Sequence, residues 1–139
     1  MNTEVIRDND YCFACGELNP MGLHLKFSQE GERLRASCRP GVHHQGYEGI
    51  VHGGIIATIL DDVMSNLVAR LTGETTVTAE LKVRLRRPAK VEQALVAEAE
   101  MVEHRDRLYQ ARATVRAEAS GEVIAEGESR MVKVPAGRL

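Results

Sequence analysis

Tryptophan is absent from this sequence, and two phenylalanines and three tyrosines are its only large aromatic side chains. Phe13, Phe27, Tyr11, Tyr47 and Tyr109 are scattered along the chain and form no stacking platform for an aryl group. Cysteine is scarce and odd in number. Cys12, Cys15 and Cys38 cannot close a complete disulfide framework, which agrees with a reducing compartment. A dominant charge is missing too: eighteen basic against twenty acidic side chains leave a net charge of -2. No global field therefore draws the chain to nucleic acid or to an anionic membrane. No window approaches the ~20 apolar residues of a membrane span, and the opening MNTEVIRDNDY lacks the apolar core of a signal peptide. The expectation is a cytoplasmic protein with no nucleic-acid or membrane partner.

What is present suits a folded domain. A chain of 139 residues is expected to form one domain over 1–139, burying ~68% of the surface that its unfolded form exposes. Leu23 to Phe27 and Arg33 to Cys38 read as short strands around a turn in which Gly31 supplies positive φ. A Gly- and His-rich loop, 40–54, follows. From Ile55 the apolar residues Ile55, Ile56, Ile59, Leu60, Val63, Met64, Leu67, Val68 and Leu71 keep helical spacing until Gly73, which predicts one long helix. Val77, Ala79, Leu81, Val83 and Leu85 then alternate with Thr78, Glu80, Lys82, Arg84 and Arg86, a half-buried strand that Pro88 ends. Residues 93–103 and 107–119 read as two more strands, although the Ala-rich EAEMVEH suits helix on propensity alone. Residues 122–134 make a last strand after the Ser120-Gly121 turn. One helix against one antiparallel sheet is an α+β layer arrangement.

The helix carries the informative residues. Asp61 and Asp62 lie ~130° to either side of the centre of its apolar stripe, so neither is committed to the core. The face with Ala57, Thr58, Asp61, Ser65 and Ala69 reads either as a solvated surface or as a close-approach surface for a second chain. His52, Gly53 and Gly54 stand at the helix start, where unpaired N–H groups and the partial positive end of the helix suit an oxyanion or a phosphate; a loop needing positive φ reads equally well. Lys82, Arg84, Arg86, Arg87 and Lys90 fall within nine residues and read either as a phosphate-binding cluster or as a solvated strand face. Cys12 and Cys15 would make half of a zinc site if Cys38 and one of His24, His43 or His44 completed it. The lone CxxC lacks a second close pair, so no metal and no cofactor is assigned.

The run Val51, His52, Gly53, Gly54, x, x, Ala57, Thr58, x, x, Asp61 resembles the signature of hotdog-fold acyl-CoA thioesterases, the group that includes the phenylacetate-degradation thioesterase and the thioesterase superfamily proteins of human. The stretch Cys12-Phe-Ala-Cys15-Gly-x-x-Asn-Pro-x-Gly-Leu and the strand Thr78-Ala-Glu-Leu-x-Val-x-x-x-Arg-Pro-Ala resemble bacterial members, so the similarity spans residues 12 to about 130. The resemblance implies a helix wrapped by a five- or six-stranded antiparallel sheet, dimers with a continuous sheet, and often tetramers. It implies Asp61 as the catalytic acid and Asp62 as a variable neighbour. Gly54, or the pair Gly53 and Gly54, matches the amide donor to the thioester carbonyl, and Thr78 a hydroxyl that positions water. Gly46 stands where related enzymes carry Asn, with Gln45 beside it as a polar substitute. The expected substrate is an acyl-CoA, its coenzyme A held by Gln45, Asp62, Arg84, Arg86, Arg87 and Lys90. The alternative is a non-catalytic acyl-CoA binding or sensing module. Nine residues of helix put His52 and Asp61 ~13 Å apart along the axis, too far for one thioester carbon to touch both. The expected site is therefore shared between the two subunits of a dimer.

Overall fold

The computed structural model describes residues 9–135. One helix, α1 (Gly53–Thr72), packs against a six-stranded antiparallel sheet made of β1 (Lys26–Glu30), β2 (Arg33–Cys38), β3 (Thr76–Leu85), β4 (Leu95–Arg105), β5 (Leu108–Ala117) and β6 (Val123–Lys133). The strands run in the order β1-β2-β4-β5-β6-β3, so β3, which follows the helix directly, forms one edge. This is the α+β hotdog layout that the sequence motifs imply.

Helix α1 begins and ends for local reasons. His52 is its N-cap, with the ring Nδ1 accepting from the Gly54 N–H at 2.8 Å, and Gly73 ends it in the left-handed conformation at φ 75°. The apolar stripe is buried as its spacing predicts: Ile56, Ile59, Leu60, Val63, Met64, Leu67 and Val68 all lie in the core. The sheet meets this stripe with small side chains, Ala97, Ala99, Ala111, Ala113, Ala117 and Ala125, which bring the backbone close to the helix. Gly127 shows how close. A Cβ there would lie 3.2 Å from Leu60 Cδ1. The Ala-rich β4 is strand rather than helix because Leu95, Ala97 and Ala99 alternate inward with half-buried Val96, Glu98 and Glu100, a period that only the pleat satisfies.

Two expectations need correcting. Leu23 and Leu25 do not open the first strand; their N–H groups bond to the Phe13 and Ala14 carbonyls at 2.8 and 2.9 Å, so this segment pairs with the loop that carries the CxxC. In β3 the strict alternation fails near its start. The register shifts between Thr78 and Glu80, where Thr78 faces Met131 and Glu80 faces Arg130. This bulge at Ala79 moves Thr78 from the outer face, with Glu80, Lys82 and Arg84, to the inner face beside the helix. Among the described residues, no helix is long and apolar enough to cross a membrane.

Candidate active site

The candidate residues gather in two places along α1. The first lies mid-helix, beside the sheet edge. Asp61 is half-buried, and its Oδ1 accepts a 2.7 Å hydrogen bond from Thr78 Oγ1. The bulge makes this bond possible by turning the threonine inward. Edge strand β3 has β6 on one side only, so the pair sits where the sheet ends, with Thr78 itself exposed.

The second place is the helix entrance. His52, Gly53, Tyr47, Leu85, Arg86 and Arg87 are among the residues lining an open cleft of about 600 Å³, within the ordinary size of a small-molecule site. The N-cap bond occupies the Gly54 amide. Ile55 and Ile56 both donate to the His52 carbonyl, which leaves the Gly53 N–H as the first-turn amide with no hydrogen-bond partner among the described residues. Because Nδ1 of His52 accepts, a neutral ring carries its proton on Nε2. Gly53 borders Leu85 closely: a Cβ at Gly53 would lie 3.0 Å from Leu85 Cδ1.

The remaining candidates divide. The Gln45 side chain accepts from the Gly49 N–H at 2.9 Å and so closes its own loop. Gly46 packs on His52, and a Cβ there would meet the His52 Cα and Cδ2 at 3.3 Å, so an Asn at 46 fits only if the histidine gives by a few tenths of an ångström. Arg86 lines the cleft and bonds to Glu126 at 2.8 Å; Arg87 lies 3.7 Å from Glu122. Arg84 lines a separate depression on the outer sheet face with Lys82, Arg112 and Glu128. Lys90 is exposed, and its N–H donates to Gln93 Oε1. The structure thus assembles Asp61 with Thr78, and His52 and Gly53 with Arg86 and Arg87, but it does not gather the five basic residues into one cluster.

Asp62 points the other way from its neighbour. Its carboxylate joins the Cys12 and Cys15 thiols, with the three ligating atoms within 4.8 Å of one another. Cys38 and the histidines do not complete that group. The His44 ring is held by the Gly41 N–H and the Met21 carbonyl, the His24 ring by the Asn19 carbonyl, and burial pushes the Cys38 thiol up to about 12. Sequence reasoning missed Tyr47 and Leu85 as cleft walls. Both are large, exposed side chains, 88% and 55% accessible, but only the fold brings them to the helix entrance.

A family model described as the thioesterase superfamily matches residues 48–124, more than half of the chain. No curated protein matches significantly. Solved structures do. A thioesterase superfamily protein is 23% identical with a TM-score of 0.80, covering 88% of this chain and 63% of its own, so this chain spans less than two thirds of that protein's length. A hypothetical thioesterase protein from Streptococcus pneumoniae TIGR4, solved with coenzyme A, is 17% identical, TM-score 0.73, covering 81% of this chain and 90% of its own. A phenylacetic acid degradation-related thioesterase from Ralstonia eutropha JMP134 is 20% identical, TM-score 0.72, covering 81% and 86%. At these identities the likeness establishes the fold.

Proposed function

The chain belongs to the thioesterase superfamily, and from that premise we propose that it hydrolyses acyl-CoA thioesters to the free acid and coenzyme A. The observation that carries this reading is the Thr78 to Asp61 hydrogen bond. It fixes one oxygen of a half-buried carboxylate at the open sheet edge, leaving the other to act. Asp61 delivers the attack, either as general base on water or as a nucleophile through a mixed anhydride that water then cleaves. Negative charge develops on the thioester oxygen as the carbonyl is attacked. Amides at a helix start stabilise that charge more than the ground state, and one such donor is worth about 3 to 4 kcal/mol. Gly53 supplies the available amide; Gly54 joins it when the His52 ring swings off its cap.

These two parts meet across a dimer in this reading. Strand β3 runs from Thr78, beside Asp61, to Leu85, beside Gly53, about 23 Å away at the usual strand rise. Antiparallel pairing of β3 with its copy about an axis through Leu81 sets Thr78 opposite the partner's Arg84, next to the partner's helix entrance. One closed interface then makes two composite sites and covers two exposed edges. A tetramer extends this by pairing dimers. Arg86 and Arg87 at the cleft, with Arg84 and Lys90 nearby in sequence, are the cations offered to the phosphates of coenzyme A, the ligand with which the pneumococcal relative was solved. Gln45 shapes the loop above them, and the absence of a disulfide among Cys12, Cys15 and Cys38 suits the reducing cytoplasm.

Release of free thiol from a panel of acyl-CoA substrates tests the activity and reads out acyl preference together. Binding of coenzyme A esters with no thiol release would replace this reading with an acyl-CoA sensor. Mass spectrometric trapping of an acyl group on Asp61 marks the nucleophilic route.

A further inference from the structure

We propose that Cys12, Cys15 and Asp62 bind a thiophilic divalent cation, zinc(II), which clips the N-terminal loop to the central helix. The site lies on the opposite flank of α1 from Asp61 and does not depend on the catalytic reading. The Cys12 and Cys15 sulfurs are 3.4 Å apart. Two thiolates on one tetrahedral zinc stand roughly 3.7 Å apart, so this thiol–thiol hydrogen bond holds the pair a few tenths of an ångström from the separation that one shared cation sets. The Asp62 carboxylate is within 4.8 Å of both, and closing onto a metal requires a shift of up to roughly 1 Å.

The turn is built to hold the two thiols side by side. The Cys15 N–H donates to Cys12 Sγ at 3.4 Å, a contact that steadies a thiolate. The Gly16 N–H donates to the Cys12 carbonyl at 2.8 Å. A Cβ on Gly16 would lie 2.4 Å from the Cys12 nitrogen and 2.5 Å from the Asp10 carbonyl oxygen, so only glycine fits after the second cysteine. The loop is then pinned by the bonds that Leu23 and Leu25 make to Phe13 and Ala14. All three ligands are half-buried. Deprotonated on a metal, the two thiols and the carboxylate supply the soft, anionic donor set that a thiophilic divalent cation takes. Thiolate ligands select zinc over magnesium or calcium. With three ligands among the described residues, a fourth position remains for water or a further donor.

This ligand set differs from the one sequence spacing suggested. The third ligand is a carboxylate in the middle of the helix rather than Cys38 or a histidine. Binding releases the thiol protons, so affinity falls as pH is lowered.

Elemental analysis of the reduced full chain, purified without added metal, should find about one zinc per polypeptide. After chelation, Co2+ should give a thiolate-to-metal charge-transfer band and tetrahedral visible bands, which the d10 zinc ion lacks. Zn2+ but not Mg2+ should raise the Tm of the chelated protein. Cys12→Ser should lose the charge-transfer intensity of one thiolate, and Asp62→Asn should shift the visible bands and weaken Co2+ binding. A reduced wild-type protein that holds no zinc and gives no charge-transfer band with Co2+ overturns the proposal, and this measurement needs no variant to fold. Undiminished zinc in folded Cys12→Ser and Cys15→Ser proteins overturns it equally.

Discussion

Thr78 Oγ1 donates to Asp61 Oδ1 across 2.7 Å, tying the start of β3 to the middle of α1 over a sequence separation of 17. A bond from hydroxyl to carboxylate is worth about 1.5 to 3 kcal/mol, and here its use is orientation. Asp61→Asn should lower kcat by about 100-fold or more, the usual scale for losing a positioned acid–base group. Thr78→Ala should cost about tenfold in kcat with little change in KM, and Thr78→Ser should recover most of it. Steady-state kinetics on the best acyl-CoA substrate checks all three. Wild-type rates in Asp61→Asn would remove the assignment.

Strand β3 leaves Leu85 more than half exposed, at 55%, at the edge of the sheet. Leu81, in the centre of that edge, is half-buried against the core; Leu81→Arg sets a charge there that opposes pairing, and with the protomer's fold checked by circular dichroism it should give a monomer by sedimentation equilibrium and lose activity with it. A fully active monomer would show that each chain holds a complete site.

Gly16 permits no side chain, since a Cβ would fall 2.4 Å from backbone nitrogen rather than against a movable side-chain tip. Gly16→Ala should destabilise the protein by about 2 kcal/mol, a middle value for overpacking. For a chain of this size that corresponds to a Tm lowered by roughly 6 °C, measurable by calorimetry. By contrast, Gly31 has nothing within 4 Å of its Cβ position, but its φ of 61° favours glycine. Gly31→Ala should therefore cost about 1 kcal/mol from backbone strain alone.

Burial raises the Cys38 thiol from 9.0 to about 12, because a thiolate on β2 would lose its solvation. The native protein keeps this proton where the unfolded chain sheds it. The associated stability is therefore complete below pH 9.0 and is lost progressively as pH rises toward about 12. Iodoacetamide at pH 8.5 to 9, read by peptide mass spectrometry, should spare Cys38 in the native protein and modify it in denaturant. Rapid native modification would contradict its burial.

Much of this architecture is written in local pattern. The helix from the glycine pair to Gly73, the Gly31 hairpin and the three long closing strands follow from period and turn chemistry. Those signals depend only on near neighbours, as does the placing of Asp61 and Asp62 on opposite flanks of the apolar stripe. Which way each aspartate is used depends on what packs beside it. A one-residue bulge at Ala79 decides that Thr78 meets Asp61, because it turns the strand against its own alternation. The folding of the CxxC loop onto Leu23 and Leu25 decides that Asp62 meets two thiols. Neither event leaves a periodic trace, since both arise from contacts between segments far apart in the chain. Residue identity and spacing determined the fold and its candidate acids; long-range packing alone determined their neighbours.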